Sequence, residues 1–332
     1  MARLSRRTFL KATGGLVLAA ATPSQSLAVF FDRVFGRAPG GPLKAITPND
    51  EFYVTSYRSP PNIRLREWSL SIKGLIERPM TVSYEQLLKL PTTSEIVTLE
   101  CVGNTVAGEY IGTAAWEGVT LRAILEVAGL MPQAVDVVFH AADGYSDSIP
   151  VARAMTGDVL IAHRMNGEPL PLGHGFPARA IVPGHYGMKS VQWLKEVELV
   201  AEDYKGYYAK KGWTEEAVVK TTSWIDQPEH GATINGPRYI VRGVAFAGIR
   251  GIQSVEISVD GGERWEPVRL DAPLSPAAWV FWQYDWTILK ADRHTLLVRA
   301  TDGTGRLQTS IEQGPAPDGA SGFHEITVTA ES

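Results

Sequence analysis

The spacing of apolar and polar residues changes character near residue 220 of this chain. Before that point, segment 68–72 alternates as a strand does, and 135–140 is a continuous apolar run typical of a buried strand. Segment 83–90 shows helical spacing behind a capping serine, and segment 120–128 shows helical spacing with Leu121, Ile124 and Leu125 facing inward. Helices and strands follow one another irregularly, without a regular βαβ repeat, which predicts an α+β domain over residues 49–220.

Beyond residue 220 the pattern is that of short strands separated by turns. Asp260, Gly261 and Gly262 supply a tight hairpin turn between two of them. Six strands are predicted, at residues 239–246, 254–259, 265–270, 279–286, 294–301 and 324–329. We expect an antiparallel, immunoglobulin-like sandwich over residues 221–330, although the cysteine pair found in antibody domains is missing.

The first residues match the sequence pattern of an export signal. Arg6 and Arg7 are followed by Phe-Leu-Lys, by a small and apolar stretch, and by a Ser-Leu-Ala sequence that ends at Ala28. This pattern is typical of a twin-arginine signal peptide over residues 1–28, and a general secretory signal is the alternative. Because the twin-arginine route carries folded proteins, often with cofactors inserted, we expect a periplasmic protein with a cofactor. A surface arm is predicted over residues 29–48.

Composition narrows the classes of function. The 332-residue chain has 20% charged residues and a formal net charge of −4, which offers no basic surface to a nucleic acid backbone. No apolar run after residue 30 approaches the ~20 residues that span a bilayer, so no membrane span is expected in the mature chain. The single cysteine, Cys101, can form no internal disulfide, hold no iron–sulfur cluster and attach no c-type haem. Taken alone, it is most simply a small buried hydrophobe.

Cys101 nevertheless lies in a segment that resembles the cysteine loop of the sulfite oxidase family of molybdenum enzymes. Six further segments resemble motifs of the same family and occur in the family's order. The seven segments are 98–104 (TLECVGN), 116–121 (WEGVTL), 148–154 (SIPVARA), 165–171 (MNGEPLP), 174–179 (HGFPAR), 181–184 (IVPG) and 187–194 (GMKSVQWL). The resemblance covers about residues 52–200, and the β-rich C-terminal region resembles the family's dimerisation domain.

The resemblance implies a molybdenum–molybdopterin cofactor, with the Cys101 thiolate as the protein ligand to the metal. A soft thiolate suits such a site. Gly103 and Asn104 follow directly and are residues that tolerate positive φ, so we expect the chain to turn sharply there and aim the sulfur. A plain surface turn is the alternative interpretation of that pair.

Further positions match the family's cofactor-binding residues. His174 and Arg179 match positions that bind the pterin's phosphate and ring, and a guanidinium fork fits phosphate oxygens. Lys189 and Ser190 replace other polar residues of the family, so the resemblance makes them candidate phosphate contacts. Asp143 either accepts a hydrogen bond from the pterin's N–H edge or is a turn residue before glycine, and both interpretations stay open.

The candidate substrate pocket departs from the pattern of sulfite-oxidising members. Thr55 and Tyr57 stand where those members have an arginine and a histidine, and Thr105 begins the pair that replaces two arginines. The family's catalytic tyrosine falls near Trp213, and Tyr204, in a Tyr-Lys-Gly context, is the alternative. The candidate catalytic residues are therefore Cys101, Tyr57, Thr55 and Trp213. Each lost charge-assisted hydrogen bond withdraws ~1.5–3 kcal/mol from the binding of an anion such as sulfite. Four basic residues are alternative sources of this charge: Arg58, His185, Lys210 and Lys211.

The resemblance thus implies an exported oxidoreductase that catalyses two-electron oxo transfer, oxidising sulfite or another sulfur compound. The chain carries no haem motif, so we expect no haem on it and an external c-type cytochrome as the electron partner; the dimerisation domain implies a homodimer. An S- or N-oxide reductase resembling the periplasmic methionine-sulfoxide reductase is the alternative. The all-β C-terminal region favours the first. A pterin-free binding protein that kept the fold is a third possibility.

Overall fold

The structure, a computed structural model, describes residues 43–331. The predicted signal peptide at 1–28 and residues 29–42 of the predicted arm lie outside the described residues. Within the described range, strands are far more extensive than helices. The part before residue 220 does contain both kinds of element, so the predicted α+β class is confirmed only in part. The α-helices of this range are short: α1 Tyr84–Leu87, α2 Leu121–Ala128 and α3 Val151–Ala154.

The strands fall into several separate sheets. In chain order they are β1 Ser69–Gly74, β2 Met80–Ser83, β3 Thr93–Glu100, β4 Ile111–Thr120, β5 Asp136–Ala141, β6 Ser146–Pro150, β7 Leu160–Met165, β8 Glu168–Pro169, β9 Arg179–Ile181, β10 Leu194–Val200, β11 Thr222–Gln227, β12 Thr233–Asn235, β13 Arg238–Phe246, β14 Ile252–Ser258, β15 Glu266–Pro267, β16 Arg269–Leu270, β17 Val280–Thr287, β18 Arg293–Asp302 and β19 His324–Glu331.

Two compact units make up the described chain. The first unit comprises Pro48–Glu95 and Ala114–Ala217, and the second comprises residues 43–47, Ile96–Thr113 and residues 218–331. The second unit therefore contains Cys101, whereas the sequence pattern predicts one domain over 49–220. The reason is long-range pairing, which no local pattern reveals.

Thr98 shows how the cysteine-bearing segment joins the second unit. Its backbone N–H donates to the oxygen of Ala277 at 3.0 Å, and its hydroxyl oxygen accepts from the N–H of Trp279 at 2.9 Å. Backbone groups of a buried strand must find partners, and here the partners come from far along the chain. The bounds 49–220 and 221–330 stay predictions.

The main sheet of the first unit has the strand order β2-β1-β10-β5-β6, with β1 and β10 parallel and the other pairs antiparallel. Ile72, Val197 and Phe139 lie side by side across β1, β10 and β5, and all three are 0% exposed. Because successive side chains of a strand point to opposite faces, the residues between them on β1 and β10, such as Ser71, Lys73, Glu196 and Glu198, form an outer, polar face. The sheet therefore buries one side against the unit's hydrophobic core.

Helix α2 packs on that core as its sequence predicts. The hydroxyl oxygen of Thr120 accepts from the N–H of Ala123 at 3.3 Å and caps the helix, and Leu121, Ile124 and Leu125 are buried. Helix α1 also begins as predicted, with a capping box between Ser83 and Gln86, but it spans four residues rather than the predicted 83–90.

A second group of strands in the first unit positions Arg179. Strand β7 pairs antiparallel with the second half of β4, so that Trp116 faces Met165. On its other side β7 pairs with the short strand β9, where Ala162 faces Arg179. Pairing on both sides buries β7, and Arg179 enters the interior of the unit with it.

The second unit is all-β beyond residue 220, as predicted. Its strands form two sheets, β11-β13-β17-β16 and β12-β19-β18-β14-β15, around a shared apolar core. The immunoglobulin-like arrangement itself stays a prediction. The predicted strand 265–270 is wrong as a single element: β15 and β16 belong to different sheets, and the chain changes sheet at Val268 after Pro267. Strands β11 and β12 were not predicted from the sequence.

Across residues 43–331, no helix combines the length and the apolar composition that crossing a membrane requires.

Candidate functional site

Arg179 is the centre of a buried polar group in the first unit. Its Nη1 donates to the backbone oxygen of His174 at 3.0 Å, and its Nη2 donates to that of Ser190 at 2.8 Å. The guanidinium carbon also lies 5.0 Å from the ring centroid of Trp116. The side chain is 4% exposed, and burial lowers the pKa of Arg179 to about 10, so the group stays charged at neutral pH. The predicted residues His174, Arg179 and Ser190 are therefore in direct contact.

The imidazole of His174 is held in one orientation. Its Nε2 lies 2.8 Å from the backbone oxygen of Asn49, and its ring packs edge-on against Phe52. Since a carbonyl oxygen can only accept, Nε2 carries the proton. Burial lowers the pKa of His174, so the ring is neutral and Nδ1 holds a lone pair.

Two polar atoms of this group have no partner among residues 43–331. They are Nε of Arg179, a donor, and Nδ1 of His174, an acceptor, and both are buried. Buried polar atoms without a hydrogen bond are rare in proteins and call for an explanation. A heterocycle that carries both a hydrogen-bond acceptor and an N–H donor, as a pterin does, would satisfy both atoms.

A glycine allows the chain to bring these residues together. Gly175 follows the 3-10 turn Leu172–His174 and takes a left-handed φ of 103°. A Cβ at this position would lie 3.1 Å from Cβ of Arg179 and 3.2 Å from Cα of Gln192. Gly175 thus permits both the turn and the close packing around Arg179.

Lys189 is buried beside this group but contacts a carboxylate. Its Nζ lies 2.8 Å from Oδ1 of Asp147, and the two side chains are 4% and 0% exposed. The 3-10 turn Gly187–Lys189 places it directly before Ser190, whose hydroxyl oxygen accepts from the N–H of Val182 at 3.0 Å. An ammonium group has three hydrogens, so the contact with Asp147 leaves two of them for other acceptors.

Asp143 forms the turn that was one of its two predicted roles. Its Oδ1 accepts from the N–H of Tyr145 at 2.9 Å, just after Gly144 takes a positive φ of 92°. The phenol of Tyr145 lies 2.9 Å from Oδ2 of Asp147 and 3.0 Å from the oxygen of Met188. Burial, and then the neighbouring Asp147 carboxylate, hold the pKa of Tyr145 well above its ordinary value. A role of Asp143 towards a cofactor stays a prediction.

An aromatic cluster adjoins Tyr145 and contains two of the predicted catalytic residues. The ring centroid of Tyr57 lies 4.5 Å from that of Tyr207 and 6.2 Å from that of Tyr145, and Tyr208 links Tyr145, at 5.8 Å, to Trp213, at 6.4 Å. The structure thus brings Tyr57 and Trp213 into one aromatic surface. We refer to Tyr57, Tyr145, Tyr207, Tyr208 and Trp213 as the aromatic cluster.

The positive charges near the aromatic cluster lie on its rings. The guanidinium of Arg58 lies 4.8 Å from the centroid of Tyr57, and the ammonium of Lys211 lies 6.0 Å from that of Tyr207. Lys210 lies over Tyr204 instead, at 4.9 Å. Tyr204 pairs with Ser146 through its hydroxyl, at 2.8 Å, and is not a member of the cluster.

The cysteine loop belongs to the second unit. Cys101 follows β3 and is partly exposed; its N–H donates to the oxygen of Tyr110 at 2.9 Å. Asn104 closes the loop: its Oδ1 accepts from the N–H of Tyr110 and its Nδ2 donates to Oε1 of Glu100, each at 3.0 Å. Burial raises the pKa of Glu100 to about 7.

The conformation predicted for Gly103 and Asn104, just after Cys101, is wrong. Gly103 and Asn104 were expected to take positive φ, but the residue of the loop that does so is Ala107, with a φ of 58°. Asn104 acts through its side-chain amide instead, which bonds both ends of the loop. Thr105 in this loop and Thr55 in the first unit, both predicted pocket residues, are exposed.

Several residues of these sites were missed by sequence reasoning. Asp147 and Tyr145 carry no signal of their own, because a carboxylate in a short strand and a phenol in the turn before it resemble surface residues. Trp116 lies within a recognised motif, yet nothing in the motif shows that its ring supports Arg179. Tyr207 and Tyr208 stand next to the Tyr-Lys-Gly segment, and that aromatic density was the one signal that could have been followed.

Known protein families match the chain in two consecutive segments. Residues 57–208 match the family model of the oxidoreductase molybdopterin binding domain, and residues 214–313 match that of the Mo-co oxidoreductase dimerisation domain. Together the two segments cover most of the residues that the structure describes.

Curated relatives agree with these matches. Mitochondrial sulfite oxidase of Rattus norvegicus is 33% identical in an alignment 287 residues long, and the alignment covers 72% of this chain and 52% of that protein. The NADH nitrate reductase of Solanum lycopersicum is 29% identical over 323 residues, covering 78% of this chain and 36% of that protein. The chain therefore spans about half the length of the first relative and about a third of the second.

A solved structure shares the fold over nearly the whole length. The sulfane dehydrogenase SoxCD from Paracoccus pantotrophus superposes with a TM-score of 0.75 at 22% identity, covering 96% of this chain and 95% of that one. At this identity the likeness is one of fold.

Proposed function

The chain belongs to the sulfite oxidase family of molybdopterin-dependent oxidoreductases, and we propose from this that it oxidises a sulfur compound by two-electron oxo transfer. The observation that carries the proposal is the pair of buried atoms without partners, Nε of Arg179 and Nδ1 of His174. They offer one donor and one acceptor beside a buried positive charge. This combination fits a pterin with an attached phosphate better than it fits a closed apolar core.

Each residue that would hold the cofactor makes a different kind of contact with it. Arg179 contributes a charged donor, His174 a neutral acceptor, and Ser190 fixes Arg179 through its backbone oxygen. Lys189 supplies the remaining hydrogens of its ammonium to a phosphate. Cys101 provides a thiolate ligand to molybdenum, and Asn104 fixes the loop that carries it. When bound, the cofactor supplies the oxygen-atom and electron transfer.

The chain's own residues favour a weakly charged or neutral sulfur substrate over sulfite. The candidate pocket residues Tyr57 and Trp213 are aromatic, and the charge of Lys189 is balanced by Asp147. Arg58 and Lys211 are engaged with tyrosine rings. Aromatic faces hold polarisable sulfur groups well, whereas a sulfite dianion needs several charged donors.

The remaining parts of the proposal concern partners and location. The sequence pattern of residues 1–28 supports export to the periplasm by the twin-arginine pathway as a part of the proposal. The match to a dimerisation domain supports a homodimer. Since the sequence contains no C-x-x-C-H motif, an external c-type cytochrome is the proposed electron acceptor. An S- or N-oxide reductase that uses the same site in reverse is the second candidate, which the neutral aromatic lining also accommodates.

The cofactor proposal is tested by replacing Arg179. We expect Arg179→Met to lose most of its pterin, measured by the fluorescence of the oxidised pterin, and most of its molybdenum, measured by mass spectrometry. Arg122→Met is the matched control, because Arg122 is an exposed arginine on α2 whose side chain is 53% accessible. Full pterin content in a folded Arg179→Met protein would contradict the proposed site.

The substrate proposal is tested with a panel of compounds. Purified holoenzyme is assayed with a ferricyanide or cytochrome acceptor on sulfite, thiosulfate and thioethers, and with a reduced dye as donor on sulfoxides and nitrate. We expect turnover with a neutral or weakly charged sulfur compound at lower concentration than with sulfite. Saturation by micromolar sulfite would show that the charge argument is wrong.

A further inference from the structure

A histidine and two glutamates meet on the outer face of the main sheet of the first unit. His140 on β5 and Glu196 on β10 are cross-strand partners, and Glu198 lies two residues further along β10, on the same face. Nε2 of His140 lies 2.9 Å from Oε2 of Glu198 and 3.7 Å from Oε1 of Glu196. Between residues 43 and 331, this is the one group of at least three His, Cys, Asp or Glu side chains whose ligand atoms all lie within 4.8 Å of one another.

We propose that His140, Glu196 and Glu198 form a binding site for Zn²⁺ or a similar divalent transition metal. One imidazole nitrogen and two carboxylate oxygens are donors that zinc accepts, at metal–ligand distances of ~2.0–2.2 Å. Ligand atoms of a tetrahedral zinc are therefore about 3.3–3.6 Å apart. The two measured separations, 2.9 and 3.7 Å, lie on either side of that spacing, so only small side-chain rotations are needed.

The strand register fixes the relative positions of these three side chains. His140 and Glu196 are fixed opposite each other by the backbone hydrogen bonds between β5 and β10, and the inner faces of the same strands are wholly buried. The three side chains are 24%, 24% and 30% exposed, so an ion can reach them while part of their hydration is already removed. Three protein ligands leave a fourth position for water.

The ammonium group of Lys73 lies on the same face, beside the two glutamates. Nζ of Lys73 lies 3.1 Å from Oε1 of Glu196 and 3.5 Å from Oε1 of Glu198, and these glutamates raise the pKa of Lys73. Lys73 is 43% exposed on a flexible stem, so its ammonium can move into solvent when a divalent ion takes its place. Lys73 is thus an internal competitor that sets the affinity of the site.

Metal binding at this site would join two strands near the candidate functional site. His140 packs edge-on against Tyr204 at 6.4 Å, and the N–H of Tyr204 donates to Oδ2 of Asp136 at 3.0 Å. Tyr204 begins the segment that leads to the aromatic cluster. An ion that holds His140 to β10 therefore also fixes the surface on which this segment lies.

The test is zinc binding by the purified holoenzyme after treatment with a chelator and dialysis. Isothermal titration with zinc chloride is expected to give one equivalent bound per chain, and mass spectrometry shows in each sample that molybdenum is unchanged. His140→Ala should abolish this binding, and Lys73→Met should tighten it several-fold because the competing ammonium is removed. Ser71→Ala, on the same face and opposite Glu196, is the matched control and should bind as the wild type does.

A second measurement identifies the ligands directly. Cobalt(II) in place of zinc should give the intense visible bands of a four- or five-coordinate site, and these bands should be absent in the Glu196→Gln, Glu198→Gln double variant. Equal zinc binding by the wild type and His140→Ala would overturn the proposal. So would the absence of zinc binding by the wild type, because the cluster would then be a salt-bridge network and nothing more. Unchanged affinity in Lys73→Met would overturn the part of the proposal that makes Lys73 a competitor for the site. None of these outcomes depends on enzymatic turnover, so they are separate from the proposed function.

Discussion

The ammonium of Lys189 lies 2.8 Å from the Oδ1 atom of Asp147, and the two residues are 42 positions apart in the chain. Both side chains are almost completely buried. The carboxylate also receives the N–H of Ser148, at 2.8 Å, and lies next to the phenol of Tyr145. The pair is therefore neutral as a whole and well supplied with hydrogen bonds, which is the condition under which buried charges are tolerated.

Removing one member of this pair should destabilise the first unit strongly. In Asp147→Asn the Lys189 ammonium remains buried without a counter-charge, and in Lys189→Met the carboxylate does. Breaking a buried ion pair in this way costs about 3–5 kcal/mol. The free energy of unfolding, measured by urea denaturation of the cofactor-free protein, should fall by this amount in each single variant.

The double variant decides whether the charges are the cause. Asp147→Asn combined with Lys189→Met leaves no unpaired charge, so its loss of stability should be clearly smaller than the sum of the two single losses. Additive losses would mean that the two side chains act independently and that the pair has no special role.

The contact between Lys189 and Asp147 also shows where sequence reasoning stops. Helix α2 was predicted correctly because the spacing of its apolar residues is a local signal. The partner of Lys189 is not local, and neither is the pairing of Thr98 with Ala277 that places Cys101 in the second unit. Arg179 contacts both His174 and Ser190, whose motifs are close to its own in sequence, while the binding of a cofactor by these residues stays a prediction.

Asn104 should control the order of the cysteine loop. Asn104→Ala removes the acceptor of the Tyr110 N–H and the donor to the buried Glu100. Leaving the buried Glu100 side chain without this donor costs about 1–3 kcal/mol, and the N–H of the exposed Tyr110 loses its acceptor, so the loop should open more often. Hydrogen exchange of residues 101–110, followed by mass spectrometry, should become faster in this variant. Thr105→Ala, at an exposed position of the same loop, is the control and should exchange as the wild type does; equal rates in both variants would contradict the role of Asn104.

Acid should destabilise the second unit through His324. Burial lowers the pKa of His324 from 6.5 to about 4, and its Nδ1 accepts from the N–H of Ile225 at 3.0 Å. The unfolded chain binds a proton below its pKa of 6.5, while the folded chain does so only near 4. The contribution of His324 to the free energy of unfolding is therefore fully present above pH 6.5. It is lost as the pH drops towards about 4, which lowers the free energy of unfolding by roughly 2–3 kcal/mol.

The variant His324→Asn isolates this contribution. The amide oxygen of asparagine can accept the same N–H but does not titrate, so the slope of unfolding free energy against pH between 4 and 6.5 should become smaller. An unchanged slope would assign the acid sensitivity to other groups. His185, whose pKa burial also lowers to about 4, is the first of these to replace, and it belongs to the first unit.

Cys101→Ser should separate cofactor binding from turnover. The pterin contacts proposed for Arg179 and His174 do not involve the sulfur atom, so the variant should keep its pterin. Serine at this position offers a hydroxyl in place of a thiolate, which is a poorer ligand for a soft metal site, and we expect activity with any accepted substrate to be lost. Pterin fluorescence and molybdenum content are measured beside turnover. Val102→Ala is the control, since it changes the neighbouring buried side chain and leaves the sulfur in place. Full activity in Cys101→Ser would show that this cysteine is not the ligand, even if the cofactor is bound as proposed.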